Sequence, residues 1–137
     1  TQYWLREVMN RMYKNHIRGL SGNDDCGQMS AWYLFTAMGF YPVCPGTDQY
    51  VLGAPYLPSL KLSLPNGKTF EIKAPGVSDK KRYVKSVRLN GKPYTKMYIT
   101  HKDITEGGVM EFVMSASPNK SRGQTKADKP YSLTEGK

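Results

Sequence analysis

The spacing of the apolar residues changes once along this chain, from a helical to an alternating pattern. Before Pro42 the apolar residues recur every three or four positions, and after Gly46 they alternate with polar residues. Period 3.6 is typical of an amphipathic helix, and period 2 is typical of a half-buried strand. The order of the two patterns predicts an α+β fold, with two helices first and a small antiparallel β-sheet or sandwich after them.

The first helix is predicted to run from Tyr3 to Ile17, because its apolar residues fall on one face. Gly19 follows as a natural left-handed cap. Trp4 lies on the apolar face, where packing in the core is the default expectation.

The second helix is apolar on nearly all sides. Three residues suited to an N-cap precede it, namely Asn23, Asp24 and Asp25. Gly39 and Pro42 end it. A helix with so little polar surface must be buried between other helices, and two helices joined by one loop cannot enclose it. We therefore expect its helical neighbours outside this chain. The first residue, Thr1, agrees with a processed product or a piece of a longer chain.

Five or so antiparallel strands are predicted in the second part of the chain. Leu60, Leu62 and Leu64 alternate with polar residues before a turn at 65–67, and a second turn signal is Asn90 followed by glycine. From residue 118 onward almost nothing is apolar, so this tail is expected to be mobile or docked on another surface.

The net charge of +9 is distributed unevenly. Residues 1–60 hold four basic and four acidic side chains, whereas residues 61–137 hold sixteen basic and seven acidic ones. Most of these lysines are spread singly, which is typical of a solvated sheet face, so no nucleic acid is predicted as a partner. The excess charge also leaves open a further hypothesis, a nucleic-acid or polyanion binder whose affinity falls as the salt concentration rises. No apolar run approaches the ~18 residues of a membrane-spanning helix, so no membrane span is predicted.

Two cysteines and two histidines offer little chemistry by their spacing. Cys26 and Cys44 lie eighteen positions apart without zinc-ligand spacing, and small buried residues beside helix ends are favoured over a disulfide, which stays open. His16 is expected late in the first helix and His101 at a strand end or in a loop, and both are expected at the surface.

The sequence GNDDCGQMSAWY, at residues 22–33, places two carboxylates and an amide where a loop enters a helix. A helix N-terminus favours a nearby carboxylate in its ionised form, which a general base requires. The competing interpretation is a plain N-cap, which needs only one of the two acids. Trp32 and the acids also suit a sugar, because sugar rings pack on aromatic side chains and hydroxyls bind carboxylates.

This stretch, together with GFYPV at 39–43 and PGTDQY at 45–50, closely resembles glycoside hydrolase family 92. The likeness continues through YITH at 98–101 and the glycine pair at 107–108. The resemblance implies an enzyme much longer than this chain, with a β-sandwich domain before a catalytic α/α barrel. It thus assigns residues 1–45 to the C-terminal helices of that barrel, 46–117 to an antiparallel β region and 118–137 to a basic flexible tail.

The resemblance implies a calcium-dependent, inverting exo-α-mannosidase that trims α-linked mannose from N-glycan or mannan chains. Asp25 corresponds to the general base, Asn23 stands where some relatives have an assisting Asp, and Asp24 and Trp32 are assigned to substrate binding. Asn23 or Asp25 can reach calcium directly or through water, and no metal ligand is assigned. The general acid of the family is an upstream Glu, and neither Glu7 nor a later Glu stands in a matching motif.

The expected partners are therefore a mannose-containing glycan and the remainder of the parent enzyme, and this segment alone is expected to be inactive. Secretion or periplasmic export follows only from the family's role in glycan foraging. The alternative hypothesis is a non-catalytic carbohydrate-binding or structural β module.

Overall fold

The computed structural model describes residues 1–134. Three α-helices are present: α1 (Gln2–Met12), α2 (Gln28–Met38) and α3 (His101–Thr105). Eight strands accompany them: β1 (Phe40–Tyr41), β2 (Gln49–Leu52), β3 (Ser59–Ser63), β4 (Thr69–Lys73), β5 (Tyr83–Leu89), β6 (Lys92–Pro93), β7 (Tyr98–Thr100) and β8 (Gly108–Ser115). This composition confirms the predicted α+β class. No helix among these residues is both long and apolar enough to cross a membrane.

The strands form two sheets. The smaller has the order β1-β2-β7 and is antiparallel, and the larger has the order β3-β4-β8-β5-β6. One pair of the larger sheet, β4 with β8, is parallel, so the sheet is mixed rather than purely antiparallel. The difference arises because the chain passes through β5, β6, β7 and α3 before it returns beside β4.

The core lies on one face of the larger sheet and extends to the smaller one. The most deeply buried side chains come from β4, β7 and β8, and they are Phe70, Ile72, Ile99, Met110 and Phe112. Leu60 and Leu62 of β3 pack against them from the sheet edge. The predicted alternation of apolar and polar residues is therefore confirmed, with the charged side chains on the outer face.

The first helix is shorter than its apolar pattern predicts. It ends at Met12, and Tyr13 is extended and forms an isolated β-bridge with Leu20. The chain reverses between them, where the Lys14 N–H donates to the Gly19 carbonyl at 2.9 Å. The predictions of helix up to Ile17 and of a left-handed cap at Gly19 are therefore wrong, because this turn takes over the backbone groups.

Large apolar side chains of α1, α2 and the turn after α1 are exposed. Trp4 is 68% exposed, Ile17 95% and Leu34 62%, so the expected core packing of Trp4 is not found. Within residues 1–134 no element covers this apolar face, which we define by these three side chains. It agrees with the expectation that α2 needs further helical neighbours.

The described part of the tail, residues 118–134, packs on the chain's own sheets. The Met97 N–H donates to the Asp128 carbonyl at 2.7 Å, and the Tyr131 N–H donates to Gln49 Oε1 at 2.8 Å. Of the two expectations, mobile or docked, the described part of the tail shows a docked arrangement, and these hydrogen bonds need no apolar side chains. Residues 135–137 lie outside the described part.

Candidate active site

The loop before α2 has an unusual backbone. Asp25, Cys26 and Gly27 have consecutive positive φ values of 49°, 58° and 96°. The left-handed conformation costs a non-glycine residue about 1–2 kcal/mol, so Asp25 and Cys26 hold it only because surrounding contacts fix the loop. Strain of this kind is concentrated at functional sites.

An acid caps α2, but not from the N-cap position. The N-cap residue of α2 is Gly27, whose left-handed backbone provides no side-chain acceptor. Asp24 replaces it from a distance, because its Oδ1 accepts hydrogen bonds from the Ser30 N–H at 2.9 Å and from Ser30 Oγ at 3.0 Å. The interpretation that one of the two acids caps the first turn of α2 is thus confirmed for Asp24, although Gly27 occupies the N-cap position.

Asp25 is fixed through its backbone and free at its side chain. Asn23 Oδ1 accepts from the Asp25 N–H at 3.2 Å, and the Asp25 carbonyl accepts from the Gln28 N–H at 3.3 Å. The Asp25 carboxylate is exposed and accepts no hydrogen bond from residues 1–134. A carboxylate held in this way is open to water and can accept a proton from it.

Trp32 packs against Tyr13, the residue that follows α1. Its ring stacks on Tyr13 with centroids 5.6 Å apart and an interplanar angle of 14°. It lines a mainly apolar cavity of about 180 Å³ between α1, α2 and the smaller sheet, and none of residues 23–25 lines that cavity. A contact between Trp32 and a substrate stays a prediction.

Glu7 is held in two ion pairs. Its carboxylate lies 2.9 Å from Arg11 Nη2 and 2.8 Å from Arg82 Nη1. Both oxygens of Glu7 are thus engaged, which agrees with the sequence argument against Glu7 as the general acid.

The described residues do not fit a calcium site by themselves. No group of three or more His, Cys, Asp or Glu side chains between residues 1 and 134 could hold a metal ion. Calcium takes six to eight oxygen ligands, and the loop residues named for it, Asn23 and Asp25, supply only part of such a set.

The cysteines and histidines differ in part from their expected positions. Cys26 and Cys44 are free thiols, and Cys26 is exposed rather than buried, because it lies in the strained loop. His16 lies in the turn after α1, where its Nδ1 accepts from the Arg18 N–H at 3.1 Å, and not late in the helix. His101 begins α3, with Nδ1 at 3.1 Å from Tyr50 Oη.

Sequence reasoning missed two residues of the loop's surroundings, Ser30 and Tyr13. A polar residue in the first turn after two acids could have indicated Ser30 as the partner of a cap. No local signal distinguishes Tyr13, which fits the apolar pattern of the first helix.

Comparison with known proteins identifies the family of this chain. The sequence profile of the glycosyl hydrolase family 92 catalytic domain matches residues 1–116. Since this is most of the chain, the chain belongs to glycosyl hydrolase family 92, as the motifs predict.

Two solved structures from Bacteroides thetaiotaomicron are similar to this chain. One is a family GH92 inverting mannosidase from strain VPI-5482, with 43% identity and a TM-score of 0.90 over 97% of this chain and 18% of that one. The other is a family GH92 α-mannosidase in complex with mannoimidazole, with 45% identity and a TM-score of 0.91 over 96% of this chain and 17% of that one.

A curated relative from the fungus Arthroderma benhamiae is described as an uncharacterized secreted glycosidase. It is 32% identical over 127 residues, which make up 90% of this chain and 16% of the relative. The chain thus spans less than a fifth of the length of each of these three relatives.

Proposed function

We propose that these residues belong to a longer inverting exo-α-mannosidase and that they supply its general base, Asp25. The observation that carries the proposal is the Asp25 loop, which fixes the backbone of this residue and leaves its carboxylate open to water. Family membership and the two similar mannosidases support the reaction class.

In an inverting mechanism one carboxylate activates water on the face of the sugar opposite to the leaving group, and a carboxylic acid protonates the leaving oxygen about 6.5 to 9.5 Å away. Asp25 takes the proton of the attacking water in this proposal. Asn23 holds the Asp25 backbone and orients the water. The acid comes from outside these residues, since the Glu7 oxygens are engaged by two arginines.

Substrate binding is proposed for Asp24 and Trp32. One Asp24 oxygen, Oδ1, caps α2 and the other, Oδ2, has no hydrogen-bond partner within residues 1–134, so Oδ2 is the atom that would accept from a sugar hydroxyl. Trp32 would pack against a sugar ring, as aromatic side chains commonly do.

The remainder of the parent enzyme is proposed as the partner of the apolar face of Trp4, Ile17 and Leu34. These exposed side chains support an assignment of residues 1–45 to the helices of a larger barrel, with 46–117 as a β region and 118–137 as a basic tail. The isolated segment lacks both this cover and a general acid, so it is proposed to be inactive.

The finer properties of the parent enzyme are proposals from the family resemblance. They are a glycan substrate with α-linked mannose of the N-glycan or mannan type, dependence on calcium, and secretion or periplasmic export. The name of the fungal relative supports secretion. Calcium ligands would come mainly from the rest of the parent chain, because the described residues lack a cluster for it.

The test is Asp25→Asn in the full-length parent protein, with mannose release from a mannobiose as the readout. Loss of a general base lowers kcat by about 10²- to 10⁴-fold. Asp48→Asn is the matched control, because this exposed aspartate lies outside the loop. Full mannose release by Asp25→Asn would contradict the proposal, and so would an equal loss in both variants.

A further inference from the structure

Tyr13 contacts both ends of the loop that carries Asp25, and we infer that Tyr13 is a positioning residue for this base. The inference rests on the proposed role of Asp25. Tyr13 itself touches neither the Asp25 carboxylate nor, in this proposal, the substrate, so it acts through the loop.

The first end of the loop is fixed by the backbone of Tyr13. Tyr13 and Leu20 pair as an isolated antiparallel bridge, and the adjacent bond from the Lys14 N–H to the Gly19 carbonyl measures 2.9 Å. Residue 20, the last before the loop, is thereby held beside the end of α1.

The second end is fixed by the side chain of Tyr13. The hydroxyl donates to the Met29 carbonyl in the first turn of α2 at 3.1 Å. The Met29 N–H in turn donates to the Asp24 carbonyl at 3.2 Å. Met29 therefore links the Tyr13 hydroxyl to the backbone of the loop. The ring packs against Trp32 at 5.6 Å and Tyr33 at 4.9 Å between centroids.

These contacts leave only residues 21–28 to span the two fixed points, Leu20 and Met29. That short span contains the strained pair Asp25 and Cys26, whose left-handed backbone directs the base. The other restraints on the loop are hydrogen bonds within residues 23–30, and several of them end on the first turn of α2, where the Tyr13 hydroxyl also binds. Loss of the Tyr13 hydroxyl therefore loosens the first turn of α2 and the direction of the Asp25 carboxylate together.

Tyr13→Phe in the full-length parent protein tests this role, because phenylalanine keeps the ring contacts and removes only the hydrogen bond. We expect kcat for an aryl α-mannoside to fall about 10-fold, with KM changed less than about twofold, since small misplacements of a catalytic group reduce turnover strongly. Tyr33→Phe is the matched control, because its hydroxyl has no hydrogen-bond partner within residues 1–134 and its ring belongs to the same cluster. Thermal melts of both variants report whether the fold is intact.

A double-mutant cycle with Asp25→Asn separates positioning from a general structural effect. If Tyr13 acts through the base, Tyr13→Phe changes the residual kcat of the Asp25→Asn protein less than about twofold. A 10-fold loss in both backgrounds, an unchanged kcat in the single variant, or an equal loss in Tyr33→Phe would overturn the inference. Failure of the proposed function shows separately, as full activity of Asp25→Asn alone.

Discussion

Asp24 Oδ1 accepts two hydrogen bonds from Ser30, one from the backbone N–H at 2.9 Å and one from Oγ at 3.0 Å. The acid therefore closes the first turn of α2 although it precedes the helix by four residues. Asp25, its neighbour, makes no such contact within residues 1–134. The two adjacent carboxylates thus have different surroundings, one satisfied by the helix end and the other open to water.

Substitution of Asp24 by alanine should loosen the first turn of α2. Loss of a capping side chain costs about 1 kcal/mol, which corresponds to about fivefold faster amide exchange in that turn if it opens locally. Hydrogen exchange of the full-length parent protein, resolved at Ser30 and its neighbours, measures this change. Asp48→Ala should leave exchange in α2 unaltered, and unaltered exchange in Asp24→Ala as well would contradict the capping role.

Arg6 should be the most sensitive basic residue of α1. It is 5% exposed, its Nη2 donates to the Pro55 carbonyl at 2.9 Å, and its guanidinium lies 4.3 Å from the centroid of the Tyr56 ring. Burial lowers the pKa of Arg6, which shows how much of its hydration is lost. Arg6→Met removes a hydrogen bond from a charged donor and strands the carbonyl, at a cost of about 1.5–3 kcal/mol.

The free energy of unfolding, from denaturant melts of the parent protein, tests this value. Arg11→Met is the control, because Arg11 is exposed and its one ion pair among residues 1–134 is with Glu7, four residues earlier on the same helix. Such a pair contributes about 0.2–0.5 kcal/mol. Equal losses in the two variants would show that the buried contacts of Arg6 add nothing.

The spacing of apolar residues predicted those helices and strands whose contacts lie between residues close in sequence. Helix α2 and the β3–β4 hairpin were predictable because each rests on neighbours in sequence, including the turn at 65–67. The end of α1 was not, because Ile17 continues the apolar pattern although it faces no core. The parallel pairing of β4 with β8 was also beyond prediction, since it joins strands separated by three others and a helix.

At the candidate site, the motif alone pointed to Asp25 but could not describe its backbone. Three acid or amide residues in a row fit an N-cap equally well, and the choice among them depends on the left-handed turn that follows. The cap by Asp24 and the bond from Tyr13 to Met29 are tertiary contacts that no periodicity encodes.

Tyr94 should make stability fall at high pH. Its hydroxyl donates to the Tyr98 carbonyl at 2.9 Å, and burial, with a smaller effect from the charge of Asp103, raises the pKa of Tyr94 to about 12. An unfolded tyrosine has a pKa of about 10. The fold therefore favours the neutral phenol, and this stabilisation is complete below pH about 10 and is lost as the pH rises towards about 12.

Unfolding midpoints measured across this pH range should therefore fall less steeply in Tyr94→Phe than in the unaltered protein. Tyr131→Phe, whose ring is exposed, should keep the original slope. Parallel slopes for Tyr94→Phe and the unaltered protein would show that another group titrates there.

Asp128 should hold the tail on the sheets. Its carboxylate accepts hydrogen bonds from Thr125 Oγ1 and Thr95 Oγ1, both at 2.6 Å. The bond from Thr125, followed by the bond from Thr95, has the largest effect in keeping the pKa of Asp128 below its usual value. A lowered pKa in the folded state stabilises the ionised form. The tail contact is therefore complete above the usual pKa of an aspartate and weakens as the pH falls through the lowered value.

Removal of this carboxylate at neutral pH should release the tail, although the half-buried side chain lies outside the hydrophobic core. In Asp128→Ala, the Thr95 and Thr125 hydroxyls lose their shared acceptor, and the bond between Met97 and the residue 128 carbonyl loses its nearest support. Trypsin should then cut within residues 118–134 several times faster, because a protease needs a locally detached backbone. Thr95→Val, which removes one of the two bonds, should give an intermediate rate, whereas the unaltered rate in both variants would mean that the tail is held by its other contacts alone.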